Sequence, residues 1–297
     1  MKPLVSIGIP VKNGFANRYL GNDFVYSGKD IDLAKALAAI INQSYTNLEI
    51  IISNNGSTDE TYSFLENISK KDKRIKIFNQ QPQILPLENF QFVLNNSKGK
   101  YFKWNAADDL ISEDYIEHNV NFLENNINYS CCSSKFWFEN EKNKIYSHNL
   151  DKDLYNRIKD FFKIRFVSHN IFFGLARREV LLRTVDRSKD YLAIDWMTDL
   201  DLLLSGKFKT IEKGYIIIGA KGFSKSDNYL KRKRYNKKII YKFLPFYEMT
   251  KDFFKKTISL RELSILQKIS IYLACLKINL SFIKRYKMNK VIVRKKL

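Results

Sequence analysis

Four short apolar segments, separated by helix-like stretches, most restrict how the first third of the chain can fold. They are residues 4–10, 48–53, 75–78 and 101–104, and the isoleucine-rich second segment shows no alternation of polar and apolar side chains. Continuous apolar strands are typical of a parallel sheet that is covered on both faces. Helical spacing over residues 31–42, 59–71 and 87–95 supplies the connecting helices. The pattern predicts an α/β fold that begins βαβαβ.

The rest of the chain is less regular, but its composition still supports a folded body. With 297 residues and 45% hydrophobic content, the chain can bury a substantial core. A helix is predicted over 114–125, and from about residue 130 the pattern weakens into short aromatic pieces. A helix over 195–205 and a strand over 213–219 follow. Because no leader with a charged and an apolar part stands at the start, we expect the protein to stay in the cytoplasm.

Polar residues follow the first two predicted strands, where an open α/β sheet binds its ligands. The first strand continues into VSIGIPVKNG (residues 5–14), and after NQSY (residues 42–45) the second ends in SNNGSTD (residues 53–59). This order of motifs resembles the family 2 inverting glycosyltransferases of GT-A fold, a Rossmann-like mixed sheet. The resemblance implies that the nucleoside of a nucleotide-sugar donor is bound by Pro10, Val11, Asn13, Asn54 and Asn55.

Two departures from the family pattern fall in these loops. Family members usually carry aspartate at one or both of the positions of Asn54 and Asn55, whereas asparagine keeps an acceptor oxygen but loses the charge. Turn chemistry alone would also explain the Asn-Asn-Gly-Ser run. The spacing from Asn13 to Gln43 is about 15 residues longer than in family members. This places an insertion at residues 15–29, which forms either a flap beside the substrates or an ordinary surface loop.

A pair of acidic residues follows the predicted strand at 101–104. KGKYFKWNAADD (residues 98–109) is similar to the family's GEYIxxLDADD region, although Ala106 replaces the first aspartate of D-x-D. The resemblance implies that Asp108 and Asp109 are metal ligands and that Asp108 also contacts the donor. Mn²⁺ or Mg²⁺ would take its other ligands from the diphosphate oxygens. In isolation, such a pair is also explained as a turn or a helix cap.

Asn89 lies in the predicted helix before that strand. Related sequences approach the donor in this region, so Asn89 is a further candidate for donor binding. The alternative interpretation is an ordinary asparagine on the surface of a helix.

A third motif combines FFGLARREVL (residues 172–181) with AIDW (residues 193–196). It is similar to the acceptor half of many surface-polysaccharide members of the same family, and the resemblance implies that Asp195 is the catalytic base. An inverting transfer needs one carboxylate to remove the proton of the acceptor hydroxyl. Helix capping is the alternative role for Asp195. Four nearby acids are rivals or partners: Asp186, Asp190, Asp199 and Asp201.

Cysteine and histidine residues do not form a zinc pattern. Cys131 and Cys132 are adjacent, Cys275 stands alone, and the three histidines show no paired spacing. We therefore expect reduced, partly buried thiols.

The C-terminal part of the chain carries nearly all of the net charge. Residues 221–297 contain 22 lysine and arginine residues against 4 acids, a net charge of +18 out of +20. Within residues 263–283, apolar side chains recur at helical spacing, from Ile265 and Leu266 to Leu280 and Ile283. Two interpretations are open: an interfacial helix attracted to anionic lipid, or a helix that packs on the catalytic domain. Lys231–Arg234 alone would also suit a nucleic-acid patch, but no nucleic-acid module accompanies it.

Together these patterns predict a GT-A domain over residues 1–222 and a basic helical extension over 223–297. The predicted activity is metal-dependent transfer of a sugar, from a UDP-sugar in the first instance, to a glycan or lipid-linked glycan acceptor in bacterial surface polysaccharide synthesis. The predicted location is the cytoplasm, peripheral to the inner face of the cell membrane, with no nucleic acid as partner. The main rival is a non-catalytic binding protein on a degenerate GT-A fold. A nucleotidyltransferase would need a glycine-rich opening that is absent after the first strand.

Overall fold

The structure is a computed structural model that describes residues 2–15, 31–141, 143–183, 191–219 and 240–294, without the side chains of 241, 242 and 283–294. Within these ranges, nine strands form one sheet. The strands are β1 Val5–Val11, β2 Leu48–Asn54, β3 Ile75–Asn79, β4 Tyr101–Trp104, β5 Leu110–Ile111, β6 Tyr129–Phe138, β7 Asn149–Leu150, β8 Leu175–Arg177 and β9 Lys207–Ile218.

The described α-helices connect the strands and extend the chain after the sheet. They are α1 Leu33–Ile41, α2 Thr61–Lys71, α3 Pro86–Asn95, α4 Tyr115–Asn125, α5 Leu154–Ile164, α6 His169–Phe172, α7 Arg178–Leu182, α8 Ile194–Ser205, α9 Ile240–Phe243, α10 Tyr247–Ile258 and α11 Ile265–Arg294. The predicted insertion at 15–29 lies outside the described residues except for Phe15, and so does the predicted boundary between residues 222 and 223.

The strand order is β3-β2-β1-β4-β8-β6-β9-β5, with β7 also paired to β9. The first four strands of this order are parallel, as the βαβαβ pattern predicted. Every residue of β2 is buried, and so is every residue of β1 except Pro10. This agrees with a parallel sheet covered on both faces. The short strand β8 runs antiparallel to β4 and to β6, so the sheet is mixed.

Strand β6 is the long element that the sequence pattern after residue 130 conceals. Its serines are buried because their hydroxyls have partners: Ser130 Oγ donates to Leu202 O at 2.7 Å, and Ser134 Oγ donates to Lys213 O at 2.8 Å. Small polar side chains with hydrogen bonds can be buried in a core. The polar and apolar alternation that identifies strands is then lost. Strand β9, which pairs with β6, begins six residues before the predicted start at 213.

Helix α8 packs against β6 and β9 and leads directly into the start of β9. It ends beside the first residues of β6, where a side chain at Gly206 would lie 2.7 Å from Ser130 N. Strands β6 and β9 are parallel to each other and point in the same direction as β4. The first turn of α8 therefore lies towards the edge where these strands end. Asp195 is in that first turn.

The C-terminal helices pack against the same core as the sheet. Phe246, Met249 and Phe253 belong to the buried cluster that contains Trp104. Asn279, in α11, is buried and accepts a hydrogen bond from Phe246 N at 2.7 Å. Within α11, the side chains that face the body include Ile271, Cys275 and Ile278, whereas Ile269 and Leu273 are exposed. The helix therefore has one covered side and one uncovered side.

The two sides of α11 should differ sharply in their effect on stability. Ile278→Ala, which removes a buried side chain, should lower the free energy of unfolding by about 2–5 kcal/mol. Ile269→Ala is the matched control on the uncovered side and should change it by less than about 0.5 kcal/mol. Equilibrium unfolding in urea measures both variants. Equal losses would contradict the packing of α11 described here.

Candidate active site

The carboxyl ends of β1, β2 and β4 lie side by side at one edge of the sheet. In the parallel register, Val11 is opposite Asn54, and Gly8 is opposite Trp104, the last residue of β4. The loops that leave these three strands carry most of the predicted donor and metal residues. The structure thus brings to one edge Pro10, Val11, Asn13, Asn54, Asn55, Asp108 and Asp109.

The loop after β1 is clamped onto the turn after β2. Asn13 N donates to Ser57 Oγ at 2.8 Å, and Asn13 Oδ1 accepts from Thr58 N at 2.8 Å. Asn13 and Gly56 have φ angles of 52° and 62°, in the left-handed region that asparagine and glycine adopt most readily. Asn55 N donates to Val11 O at 2.8 Å. The two loops are therefore joined by hydrogen bonds into one wall of the edge.

Asn54 and Asn55 are both buried, and both side chains have protein partners. Asn54 Nδ2 donates to Asn79 Oδ1 at 2.8 Å, and its Oδ1 accepts from Ser57 Oγ. Asn55 bridges to the backbone of Ile84: its Nδ2 donates to Ile84 O, and its Oδ1 accepts from Ile84 N, both at 2.9 Å. An amide can form both bonds of this bridge, whereas an ionised carboxylate cannot donate. A contact of Asn55 with the donor base stays a prediction.

Asn89 lies in α3 behind this wall. It is buried, so the interpretation as a helix-surface asparagine is wrong. Its Nδ2 donates to Ser53 O at 3.1 Å, and its Oδ1 has no hydrogen-bond partner in the described part of the chain. Buried acceptors of this kind usually find a partner. The predicted role of Asn89 in donor binding is compatible with this position.

The two adjacent aspartates differ in exposure and in partner. Asp109 is buried, and its Oδ1 accepts a hydrogen bond from Gly219 N at 2.9 Å. Asp108 is partly exposed, and its carboxyl group lies against the Cα of Gly219, where any side chain would clash with it. Asp109 therefore ties the end of β9 to the turn after β4, while Asp108 is the more accessible carboxylate.

Lys103 is a fully buried lysine in β4, close enough to Asp109 to be affected by its charge. Its Nζ donates to Trp104 O at 3.0 Å and to Phe173 O at 2.7 Å. Burial lowers the pKa of Lys103 to about 7, while the negative charge of Asp109 acts in the opposite direction. Neither Lys103 nor Gly219 was predicted as a site residue. A lysine inside an apolar strand is the signal that could have identified the first of them.

The residues present fit a hard divalent ion only if the substrate supplies most of the ligands. In the ranges that the structure describes, no group of three or more His, Cys, Asp or Glu residues could hold a metal ion. Asp108 offers an accessible carboxylate at a strand end, which suits Mg²⁺ or Mn²⁺ held jointly with phosphate oxygens and water. Ala106 offers no ligand to such an ion.

Asp195 is the exposed acid at the start of α8. The residue before the helix, Ala193, is buried with a φ of 67°, so the chain turns sharply into the helix. Trp196 packs against other rings, with centroids 5.2 Å from both Phe166 and Phe246. The structure gives Trp196 a packing role here. Asp195 itself is exposed to solvent. It lies in the first turn of α8, towards the edge where the strands of the sheet end.

The rival acids have different surroundings. Asp201 is buried, and both of its oxygens accept from Lys256 Nζ at 2.7 Å. Asp199, one turn after Asp195, is also buried and accepts from Ser168 Oγ at 2.9 Å. Burial raises the pKa of Asp199 well above its ordinary value, and the nearby charge of Asp195 adds to this. Asp186 and Asp190 lie outside the described residues.

The two arginines of the third motif have local structural partners. Arg177 donates from Nη2 to Leu123 O at 2.8 Å and to Asn126 O at 3.2 Å, which caps the end of α4. Arg178 Nε donates to Ser97 Oγ at 2.7 Å. Before them, the ring of Phe172 stacks on Trp104 with centroids 4.9 Å apart. The motif therefore fastens β8 beside the start of β4 and α6 beside its end.

The mixed sheet with its polar edge has the GT-A glycosyltransferase architecture, which confirms the fold prediction. The crystal structure of Staphylococcus aureus TarS 1–349 is similar with a TM-score of 0.61 at 14% identity, covering 92% of this chain and 70% of that chain. The mannosyltransferase PcManGT from Pyrobaculum calidifontis, in complex with GDP-Man and Mn²⁺, has a TM-score of 0.55 and covers 93% of this chain and 70% of its own.

A family model described as glycosyl transferase family 2 matches residues 31–187, which is more than half of the chain. The chain therefore belongs to glycosyl transferase family 2. An uncharacterized glycosyltransferase of Haemophilus influenzae is 46% identical over 92 residues, which are 31% of this chain and 28% of that protein. Glycosyltransferase GlyA of Streptococcus pneumoniae serotype 4 is 30% identical over 131 residues, 43% of this chain and 18% of its own length. The chain thus matches less than a third of either relative.

The buried carboxyl of Asp199 should make stability depend on pH. Its raised folded-state pKa means that the folded protein keeps a proton that the unfolded chain releases. Its contribution is therefore most favourable below about pH 4 and is lost as the pH rises towards the folded-state pKa. In Asp199→Asn the side chain does not titrate. The free energy of unfolding of this variant, relative to that of wild type, should therefore rise by about 1.4 kcal/mol per pH unit over that interval.

Urea unfolding at a series of pH values from 4 to about 8 measures this difference. The exposed carboxylate variant Glu262→Gln is the control and should follow the wild-type pH profile. Parallel profiles for Asp199→Asn and wild type would show that Asp199 is ionised in the folded protein.

Proposed function

We propose that this chain is an inverting glycosyltransferase that moves a sugar from a nucleotide-sugar, in the first instance a UDP-sugar, to a hydroxyl group of a glycan or lipid-linked glycan in bacterial surface polysaccharide or oligosaccharide synthesis. One observation carries the proposal. The accessible carboxylates of Asp108 and Asp195 lie towards the same edge of the sheet as the loops after β1 and β2. Membership of glycosyl transferase family 2 supports it.

The donor part of the proposal rests on the clamped loops. A nucleoside would lie against Pro10, Val11 and Asn13, with Asn55 near the base and Asn89 behind. Asn55 Oδ1 has a second lone pair, so it can accept from a uracil N–H while it keeps its bond to Ile84 N. The structurally similar TarS 1–349 has been solved in complex with UDP-GlcNAc and with UDP. This favours a uridine nucleotide, although PcManGT is described with GDP-Man.

In the proposed reaction, Asp195 accepts the proton of the acceptor hydroxyl as its oxygen bonds to the anomeric carbon. The bond from that carbon to the donor phosphate breaks, and the nucleoside diphosphate leaves from the opposite side, so the anomeric configuration inverts. Bound Mn²⁺ or Mg²⁺ would neutralise the charge that develops on the leaving diphosphate. Asp108 would be the principal protein ligand of this ion, since Asp109 accepts from Gly219 N inside the protein.

The proposed base is tested by Asp195→Asn. In an assay with UDP-sugars, Mn²⁺ and a lipid-linked glycan acceptor, this variant should lose about 10²–10⁴-fold in kcat, because no carboxylate removes the proton of the attacking hydroxyl. Binding of UDP should be unchanged. Glu262→Gln removes an exposed carboxylate far along the chain and should retain wild-type activity. Wild-type turnover by Asp195→Asn would assign the base elsewhere.

The roles of the two aspartates are tested by a pair of variants. Thermal unfolding with UDP, with and without Mn²⁺, reports the stabilisation that the bound ligands provide. Asp108→Asn should lose the extra stabilisation by Mn²⁺, measured against its own melting temperature without ligands. Asp109→Asn should lower the melting temperature, because weakening the buried bond to Gly219 N lowers the free energy of unfolding by about 1–3 kcal/mol. This variant should keep the stabilisation by Mn²⁺. The opposite pattern would make Asp109 the principal ligand.

A non-catalytic glycan- or membrane-binding protein is the second candidate. It is favoured by Ala106 in the acidic motif and by the full engagement of Asn54 with Asn79 and Ser57. Such a protein would bind a glycan or a membrane without releasing UDP from any donor, with or without Mn²⁺. Release of UDP that depends on Asp195 excludes it.

A further inference from the structure

Helix α11 presents apolar side chains on two opposite sides, and the protein covers only one of them. The uncovered side chains have exposed fractions of 76% for Ile265, 79% for Leu266, 50% for Ile269, 57% for Leu273 and 62% for Leu280. Their spacing places them on one side of the helix, and we call these five residues the outer stripe. Contiguous exposed apolar side chains of this kind mark an interaction surface.

The opposite side of α11 holds the helix against the protein. Ile271, Cys275 and Ile278 are 1%, 1% and 4% exposed and belong to the main buried cluster. Asn279 is buried beside them and donates to Cys275 O at 3.0 Å, in addition to accepting from Phe246 N. The outer stripe is therefore presented at a fixed orientation on the body of the protein.

These contacts favour a helix α11 that lies on a membrane over one that crosses it. By length and composition, the segment Ile265–Phe282 could span a bilayer, with a mean hydropathy of 1.3 and 22% of the segment buried. Crossing would require the helix to leave its contacts with the protein and to carry Asn279 into hydrocarbon without Phe246 N. A helix with one side packed and the other apolar fits insertion into the interfacial region instead.

The composition of this part of the sequence indicates which surface the stripe meets. The sequence of α11 contains seven lysine and arginine residues and no acid. Residues 221–297 as a whole carry a net charge of +18. Basic residues near an anionic membrane surface favour binding to it. A second copy of this chain on the same stripe would bring two strongly basic helices together, which is unfavourable.

We propose that the outer stripe of α11 inserts into the interfacial region of a membrane that contains anionic lipid, and so holds the folded protein on that membrane. The apolar side chains enter the boundary between headgroups and acyl chains, and lysine and arginine residues of this basic part of the chain meet the lipid phosphates. This binding does not depend on the proposed transfer reaction. If the reaction is also correct, the attachment keeps the active site beside a lipid-linked acceptor.

The test compares two double variants that remove the same kind of side chain from different surfaces. Ile265→Gln with Ile269→Gln alters the outer stripe. Ile127→Gln with Ile145→Gln is the matched control, because both isoleucines are exposed, at 84% and 62%, and lie outside α11. All four side chains are exposed, so both double variants should unfold at nearly the wild-type temperature.

The full chain, without any donor, is sedimented with vesicles of equal parts phosphatidylcholine and phosphatidylglycerol, and with vesicles of phosphatidylcholine alone. Wild type and the control should bind the anionic vesicles, and the outer-stripe variant should bind at least about tenfold more weakly, because apolar burial is lost. Rising salt and the neutral vesicles should weaken wild-type binding.

Three results would overturn the proposal. Equal binding by the outer-stripe variant and the control would mean that charge alone, or another surface, holds the lipid. A wild-type protein that does not bind vesicles and is a dimer, together with a monomeric outer-stripe variant, would identify the stripe as an interface between copies. Binding that resists high salt and yields only to detergent would indicate a spanning helix.

Transfer to a soluble acceptor is measured in the same variants. The outer-stripe variant should retain wild-type release of UDP, since the stripe lies on α11 and contains none of the proposed active-site residues. Loss of vesicle binding with intact transfer supports the membrane proposal, and intact vesicle binding without any transfer refutes only the proposed reaction.

Discussion

The parallel pairing of β1 with both β2 and β4 is the constraint on which the rest of the structure depends. Because all three strands run in the same direction, the loops that leave them meet at one edge. Val11 and Asn54 are direct neighbours there, and the turn with Asp108 follows the end of β4. The later part of the sheet preserves this polarity, since β6 and β9 point the same way as β4. Helix α8 therefore begins near the edge that the first strands define.

At this edge, several neutral residues replace the acids of the family pattern, and the structure shows how the protein accommodates them. Asn55 makes a two-bond bridge to Ile84 that an ionised aspartate could not make, because a carboxylate has no N–H to donate. Asn54 likewise donates to Asn79. The loss of charge is thus accompanied by added hydrogen bonds within the wall of the site. Asp109, by contrast, is an acid of the family pattern that is kept, but its Oδ1 accepts a hydrogen bond from Gly219 N inside the protein.

The first four strands and their helices were predictable because their residue types show directly which side chains are buried. β2 is apolar apart from residues at its ends, and all of it is buried. Strand β6 was not predictable, since Ser130 and Ser134 are buried through hydrogen bonds to segments more than 70 residues away. The motifs located the edge with Asn13, Asn55 and Asp108. They did not reveal which side chains turn inward, because that depends on tertiary partners such as Ile84 and Gly219.

The close approach of Gly219 to Asp108 has a consequence for how this site can change during evolution. A side chain at position 219 would occupy the space of the Asp108 carboxyl group, so the position tolerates only glycine unless the turn after β4 moves with it. Residue 219 directly follows β9, and its N–H donates to Asp109 Oδ1. A substitution at 219 would therefore have to be matched by changes in the turn that carries both aspartates, so the two segments should vary together among related sequences.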